Sequence, residues 1–256
     1  MLEYPEFDPV ALSLGPVSVY WYGIMYVIGF GIAWWLLHRR AESFGWTQNQ
    51  AADILFWGAI GVIAGGRIGY LVLYVPERFF ADPLMLVRLG EGGMSFHGGL
   101  IGVLIAMAWF ARSQRRGFFE LTDFIAPVVP IGLGLGRFGN FINSELWGKP
   151  TDVPWAFVVD GVARHASQLY QCLLEGVVLF AVLWLYSAKH PPVRAVSGLF
   201  ALLYGVFRIA VEFVRLPDAH IGYLAFGWVT MGQLLSLPLV LLGAWLLVTA
   251  YRGRTA

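Results

Sequence analysis

Long apolar runs alternate along this chain with short polar stretches rich in glycine and arginine. A window of about 19 residues, the length that spans a membrane's hydrocarbon core as a helix, separates seven such runs. They lie near 17–37, 52–75, 93–111, 122–143, 167–187, 196–214 and 228–250. Between them fall clusters such as "HRRAESFGWTQNQ", "RSQRRGFFE" and "AKHPPVR". The pattern predicts an all-α integral membrane protein, a bundle of about seven transmembrane helices. Composition agrees: 58% of residues are hydrophobic and 13% charged, with a mean hydropathy of +0.67. Ordinary soluble domains carry about 25% charged residues.

Seven spans within 256 residues leave little room for a separate soluble domain, so residues 1–256 read as a single transmembrane domain with a short outside segment near 144–166. The N-terminal "MLEYPEFDPVALSLG" is acidic and lacks a basic leader, so the first span is expected to serve as its own targeting signal. A net charge of +1 gives no field to attract nucleic acid. The lone Cys172 excludes an internal disulfide and any cysteine-rich metal site, and it reads as a small residue buried on a helix. The His, Asp and Glu positions show no metal-ligand spacing, so neither metal nor cofactor is expected.

An odd number of spans places the termini on opposite sides. With the C-terminus cytoplasmic, the inner segments hold Arg39, Arg40, Arg112, Arg115, Arg116, Lys189, Arg194, Arg252 and Arg254. The outer ones hold Arg78, Arg88, Lys149, Arg164 and Arg215. That excess, with the acidic Glu3, Glu6 and Asp8, favours an outside N-terminus by the positive-inside rule.

Three arginines remain, Arg67, Arg137 and Arg208, and all fall inside spans. An arginine near the bilayer centre costs at least about 2.5–3.5 kcal/mol, so it normally faces a partner, a cavity or the bundle interior. Gluing helices together is the plain alternative for each. In "LLYGVFRIAVEFVR", Tyr204, Arg208 and Glu212 recur every four residues and share a helix face. In "GLGLGRFGNFINSELWGKP", Arg137 and Asn140 are three apart on a helix kept slim by glycines. Buried guanidinium groups match a phospholipid phosphate, whose oxygens their planar fork can grip. His97, in "EGGMSFHGGLIG", could move a proton near neutral pH, although a histidine bonded to a backbone carbonyl is as good a reading. Tyr22, in "YWYGIMY", suits an interfacial aromatic belt better than a site.

These residues carry a family resemblance. "GRFGNFINSELWG" resembles the signature of prolipoprotein diacylglyceryl transferases, and the likeness continues through "YPEFDPV", "WYGIMY", "GGRIGY", "GGMSFHGGLIG", "TDFIAPVVP", "RHASQLY", "AVSGLF", "YGVFRIAVEFVRLPD" and "MGQLLSLP". The resemblance implies a multi-pass, seven-span catalytic domain of the bacterial inner membrane. Its expected activity is transfer of the diacylglyceryl group of phosphatidylglycerol to the lipobox cysteine thiol of a preprolipoprotein, releasing glycerol phosphate. Its implied partners are phosphatidylglycerol, preprolipoprotein signal peptides and membrane lipids. It implies catalytic roles for His97, Arg137, Arg208 and Tyr22. Arg137, Asn140, Asn143, Glu145, Gly148, Tyr204, Arg208 and Glu212 are the implied substrate-binding set. His97 is the first candidate to assist thiol deprotonation, while Glu145 and Glu212 could accept that proton or orient the arginines. "RHASQLYQ" departs from the family's "RHPSQLYE" pattern at Ala166 and Gln171, so Gln171 is given no catalytic role. The connection from Trp147 to Arg164 is also shorter than is common in the family. A secondary transporter would bury similar charges, but the halves of the chain show no internal repeat. A structural scaffold would leave the span arginines unexplained.

Overall fold

The computed structural model describes residues 1–15, 17–217 and 222–252; Arg254 of the charge count and Asp218 of the "VRLPD" stretch lie outside them. The fold is mostly helical. The main helices are α1 (Trp21–Arg40), α2 (Gln48–Leu73), α4 (Phe96–Ser113), α5 (Phe118–Ile125), α6 (Val129–Ile142), α8 (Leu179–Ser187), α9 (Ala195–Glu212) and α10 (Met231–Arg252). A short α3 (Pro76–Ala81) follows α2, and α7 (Ser167–Gln171) runs through a π-helical stretch, Cys172–Val178, into α8. Among the described residues, six helices are long and apolar enough to cross a membrane, the α7–α8 run counting as one of them. A seventh span is reached if α5 and α6, bent by 48°, count as one. Pro127 sits in the three-residue gap between them, where the ring blocks the helical hydrogen bond and the residue before it disfavours helical geometry.

Among the described residues, five short strands supplement the helices, so the expected all-α chain is mostly rather than purely helical. They are β1 (Leu2–Glu3), β2 (Val10–Leu14), β3 (Val17–Tyr20), β4 (Phe157–Val159) and β5 (Val162–Arg164). β2 and β3 form an antiparallel hairpin, while β4 pairs with β5 antiparallel and with β1 in parallel. Asp160 and Gly161 turn the β4–β5 hairpin with φ of 50° and 73°, the left-handed pair that such two-residue turns require.

The chain divides into two compact units, Met1–Leu36 with Asp123–Ala256, and Leu37–Thr122. In the smaller, α2 and α4 pack through small residues. A Cβ on Gly65 would lie 2.4 Å from the carbonyl oxygen of Gly98, and one on Gly102 would lie 2.1 Å from that of Gly61. Membrane helices without a hydrophobic driving force between them associate through such close backbone approach. Arg67 on α2 is buried there and donates to the carbonyl oxygens of Met85, Arg88, Gly92 and Gly93. Its charge therefore ties the 85–93 segment to α2, and the plain structural reading holds for this arginine.

In the larger unit, α9 packs on α10, and α6 packs on α7 and the π-helical stretch. Asp123 fixes the start of α9 by accepting the Arg194 and Ser197 amides, each at 2.7 Å, and the Ser197 hydroxyl at 2.5 Å. Tyr4 closes the other end of α6, its phenol donating to the carbonyls of Phe141 at 2.7 Å and Ile142 at 3.1 Å. Burial pushes that phenol above the ordinary tyrosine range, so it remains a donor at neutral pH. Its ring meets Phe7, Phe141 and Trp147 edge-on.

Candidate active site

All eight expected site residues other than Arg137 and His97 have defined partners or packing, and the C-terminal part of α9 is the anchor. Arg208 and Glu212 lie one turn apart, and Arg208 Nη2 meets Glu212 Oε1 at 2.7 Å. Arg215 Nη1 reaches the same oxygen at 3.0 Å. The Thr230 hydroxyl donates to Glu212 Oε2 at 2.5 Å, just before α10 begins. Thr230 and Gln233 form the capping pair of α10: the Thr230 amide donates to Gln233 Oε1 at 3.0 Å and the Gln233 amide to Thr230 Oγ1 at 3.2 Å. Gly232 lets that helix start close on the carboxylate, since a Cβ there would fall 2.7 Å from Glu212 Cδ. A buried anion thus sits at a helix N-terminus, where the aligned amides favour it. Both Glu212 oxygens are engaged, and the side chain is 1% exposed. Arg208 keeps one buried nitrogen, Nη1, without a hydrogen-bond partner among the described residues.

Arg137 comes from α6, half-buried, and no hydrogen bond or ion pair among the described residues falls on its guanidinium. Its charge acts on Tyr22, Glu175, Tyr204 and Arg208, which sets it in the same electrostatic neighbourhood as Arg208. Asn140, one turn along, is buried and donates to Glu145 Oε2 at 2.9 Å; Asn143 donates to Oε1 at 3.3 Å. The left-handed backbone at Ser144 (φ 56°) and Leu146 (φ 60°) turns the chain so that Glu145 folds back on its own helix end. Tyr22 on α1 packs its ring against Gly139, where a Cβ would lie 2.8 Å from Tyr22 Cδ2, and shares a hydroxyl hydrogen bond with Tyr26 at 3.3 Å. The ring of Tyr204 stacks on Phe200 at 5.9 Å.

Gly148 has a packing role beside this cluster. Its amide donates to the His165 carbonyl at 2.8 Å, and the Lys149 amide donates to that of Val214 at 2.8 Å. A Cβ on Gly148 would stand 2.5 Å from the Val214 oxygen and 2.8 Å from His165 Cβ. Glycine therefore lets this strand-like segment seat against the end of α9 that carries Glu212 and Arg215. His165 Nδ1 lies 3.1 Å from the Tyr170 hydroxyl, which also accepts the Trp155 indole N–H at 2.9 Å. Burial lowers the pKa of His165, which favours the neutral imidazole.

The larger unit thus gathers Tyr22, Arg137, Asn140, Asn143, Glu145, Gly148, Tyr204, Arg208 and Glu212. His97 belongs to the smaller unit. It follows Ser95, whose hydroxyl caps α4 by accepting the Gly98 amide at 3.2 Å, and it is exposed with its ring edge-on to Phe96.

Several polar residues of the cluster escaped sequence reasoning. Arg215 was counted with the outer loops, yet it is largely buried against Glu212. Glu175, Gln171 and Gln168 are fully buried on the α7 run. Gln171 Nε2 donates to Glu175 Oε1 at 3.2 Å, and Glu175 lies in the field of Arg137 and Arg208. The signal for Glu175 was available: an acid in the middle of the apolar run 167–187 calls for a buried cation as partner.

A multi-pass helical protein with paired guanidinium groups and carboxylates buried among its apolar helices is the class this arrangement defines. The sequence comparisons agree. Residues 9–249 match the family model described as prolipoprotein diacylglyceryl transferase. Among similar proteins, the phosphatidylglycerol–prolipoprotein diacylglyceryl transferase of Azotobacter vinelandii is 59% identical, over 98% of this chain and 97% of its own. Those of Ectopseudomonas mendocina and Pseudomonas paraeruginosa are 58% and 56% identical, covering 98% and 100% of this chain and 97% and 98% of theirs. The chain belongs to the prolipoprotein diacylglyceryl transferase family and is a transferase of lipoprotein biosynthesis.

Proposed function

We propose that this protein transfers the diacylglyceryl group of phosphatidylglycerol to the lipobox cysteine thiol of preprolipoproteins, forming a thioether and releasing glycerol phosphate. The observation that carries this reading is the free hydrogen-bonding capacity of the half-buried Arg137 and of the buried Arg208 Nη1, two guanidinium groups close enough to interact electrostatically. The names of its relatives fit the same substrates.

In the proposed reaction the thiolate sulfur bonds to the glyceride carbon as that carbon's bond to the phosphate oxygen breaks. The bond electrons leave with glycerol phosphate, and the thiol proton passes to a base. Negative charge grows on the phosphate as it departs, so guanidinium groups placed there stabilise the transition state more than the bound lipid. Arg137 and Arg208 take that role in this reading, Asn140 and Asn143 hold Glu145, and Tyr22 and Tyr204 shape the flanks. The bonding at Glu145 and Glu212, with both oxygens of each engaged, favours orientation over proton transfer for these two acids. By the family resemblance, His97 is the proposed proton acceptor.

The same reading places the protein in the bacterial inner membrane as one catalytic domain, N-terminus outside and C-terminus cytoplasmic, with the 144–166 segment outside. The test is incubation of purified protein with phosphatidylglycerol and a lipobox peptide, read by mass spectrometry. Thioether-linked diacylglyceryl on the peptide is expected, with a loss of at least about 10²-fold in Arg137→Ala. Arg208→Gln should lose as much, and Cys172→Ser should retain most activity because the nucleophile belongs to the peptide. Full transfer by folded Arg137→Ala and Arg208→Gln would refute the proposal.

A further inference from the structure

Gln168, Gln171 and Glu175 recur at i, i+3 and i+7, which puts them on one face of the run from α7 into the π-helical stretch. All three are 0% exposed. A helix in this environment gains nothing from burying amides unless they are bonded, yet only one bond joins the three side chains, from Gln171 Nε2 to Glu175 Oε1. Gln168 Oε1 and Nε2, Gln171 Oε1 and Glu175 Oε2 have no hydrogen-bond partner among the described residues. Buried polar atoms in folded proteins are nearly always paired, so four unpaired ones on a single face mark a place that receives polar atoms from elsewhere. The π-helical stretch around Glu175 fits this, because such turns occur frequently at functional sites. The position is specific as well: the π-helical stretch packs on α6 and α9, and Glu175 interacts electrostatically with Arg137 and Arg208 on those helices.

The unpaired set offers donors and acceptors together, from the Gln168 amide, the Gln171 carbonyl and the Glu175 carboxyl. A vicinal diol satisfies such a set, since each hydroxyl both donates and accepts. An ammonium headgroup brings donors alone and leaves Gln168 Nε2 unpaired. An alkyl headgroup leaves all four atoms unpaired. Granted the diacylglyceryl transfer proposed above, we infer that Gln168, Gln171 and Glu175 form the subsite that reads the glycerol headgroup of the lipid whose phosphate Arg137 and Arg208 hold. These residues set which donor lipid is used and take no part in bond making. Gln171, a departure from the family's sequence pattern, supplies one of the acceptors.

A site built to bond hydroxyls rejects a substrate lacking them because its own polar atoms are stranded. The test compares kcat/KM for phosphatidylglycerol and phosphatidylpropanol, which carries the same phosphodiester without hydroxyls, using purified protein and a lipobox peptide. The unaltered protein is expected to prefer the glycerol lipid by roughly 10- to 100-fold for each hydroxyl. Gln168→Met, apolar and of similar length, should lower use of the glycerol lipid at least about tenfold more than use of the propanol lipid, and Glu175→Gln should shrink the same ratio. Equal use of both lipids by the unaltered protein overturns the inference, whatever the variants do. So does a Gln168→Met protein that loses both activities by the same factor. Absence of thioether from phosphatidylglycerol in the unaltered protein would instead overturn the transferase reading on which this rests.

Discussion

At the residue scale, the most informative carboxylate is Glu212, because its partners explain why three polar side chains tolerate burial together. It neutralises Arg208 and Arg215 and takes a hydroxyl from Thr230, on the N-terminal side of α10. The i, i+4 spacing made the Arg208–Glu212 pair legible in the sequence, and the geometry repeats it. Thr230 is 18 residues away, and no local spacing announces such a bond. The Asn140–Glu145 contact was equally hidden, since five residues do not share a helix face and only the left-handed turn at Ser144 brings them together. Gln168 and Gln171 gave no charge signal at all. Gly148 was implied as a site residue by resemblance alone, and its reason is now steric. Gly148→Ala would drive a methyl into the Val214 carbonyl and displace the end of α9. A displacement of about 1 Å at such a support costs roughly 10²-fold in rate, so transfer activity should fall by about that factor while the protein still purifies folded. A Gly148→Ala protein with full kcat would show that the segment is not a support of the site.

At the element scale, length and hydropathy located every long helix, with ends shifted by a few residues. The short strands were not legible, because two to five residues carry too little periodicity to separate a strand from a loop. The break between α5 and α6 was written in the sequence as Pro127 inside an otherwise helical pattern, but the run was read as one continuous span. Asp123 on α5 bonds the first turn of α9, where Arg194 adopts φ 82° and offers no side-chain cap of its own. Losing a remote charged cap of this kind combines a capping loss with two or three charge-assisted hydrogen bonds. Asp123→Ala should therefore destabilise the protein by about 2–3 kcal/mol, read as a lower unfolding midpoint in detergent, with residual activity below the midpoint largely intact. An unchanged midpoint would mean that α9 is started by something else.

For the whole molecule, apolar length argues for a multi-pass protein, and the family places that protein in lipoprotein biosynthesis. The orientation proposed above rests on the arginine distribution alone, since helix geometry is the same from either side of a bilayer. In a Cys172→Ser background, a membrane-impermeant maleimide applied to bacterial cells with a permeabilised outer membrane should label Asp160→Cys in the 144–166 segment. Ser113→Cys, after α4, should react only once the inner membrane is opened. The reverse pattern would invert the orientation.

The proposed transfer depends on Arg137 and Arg208 holding the phosphate of the donor lipid. A structure of the protein with phosphatidylglycerol bound tests it most directly. Phosphate oxygens are expected at about 2.7–2.9 Å from nitrogens of both guanidinium groups, with Arg208 Nη1 among them. A phosphate seated away from both arginines, with their nitrogens still bare or turned to other protein groups, would contradict it.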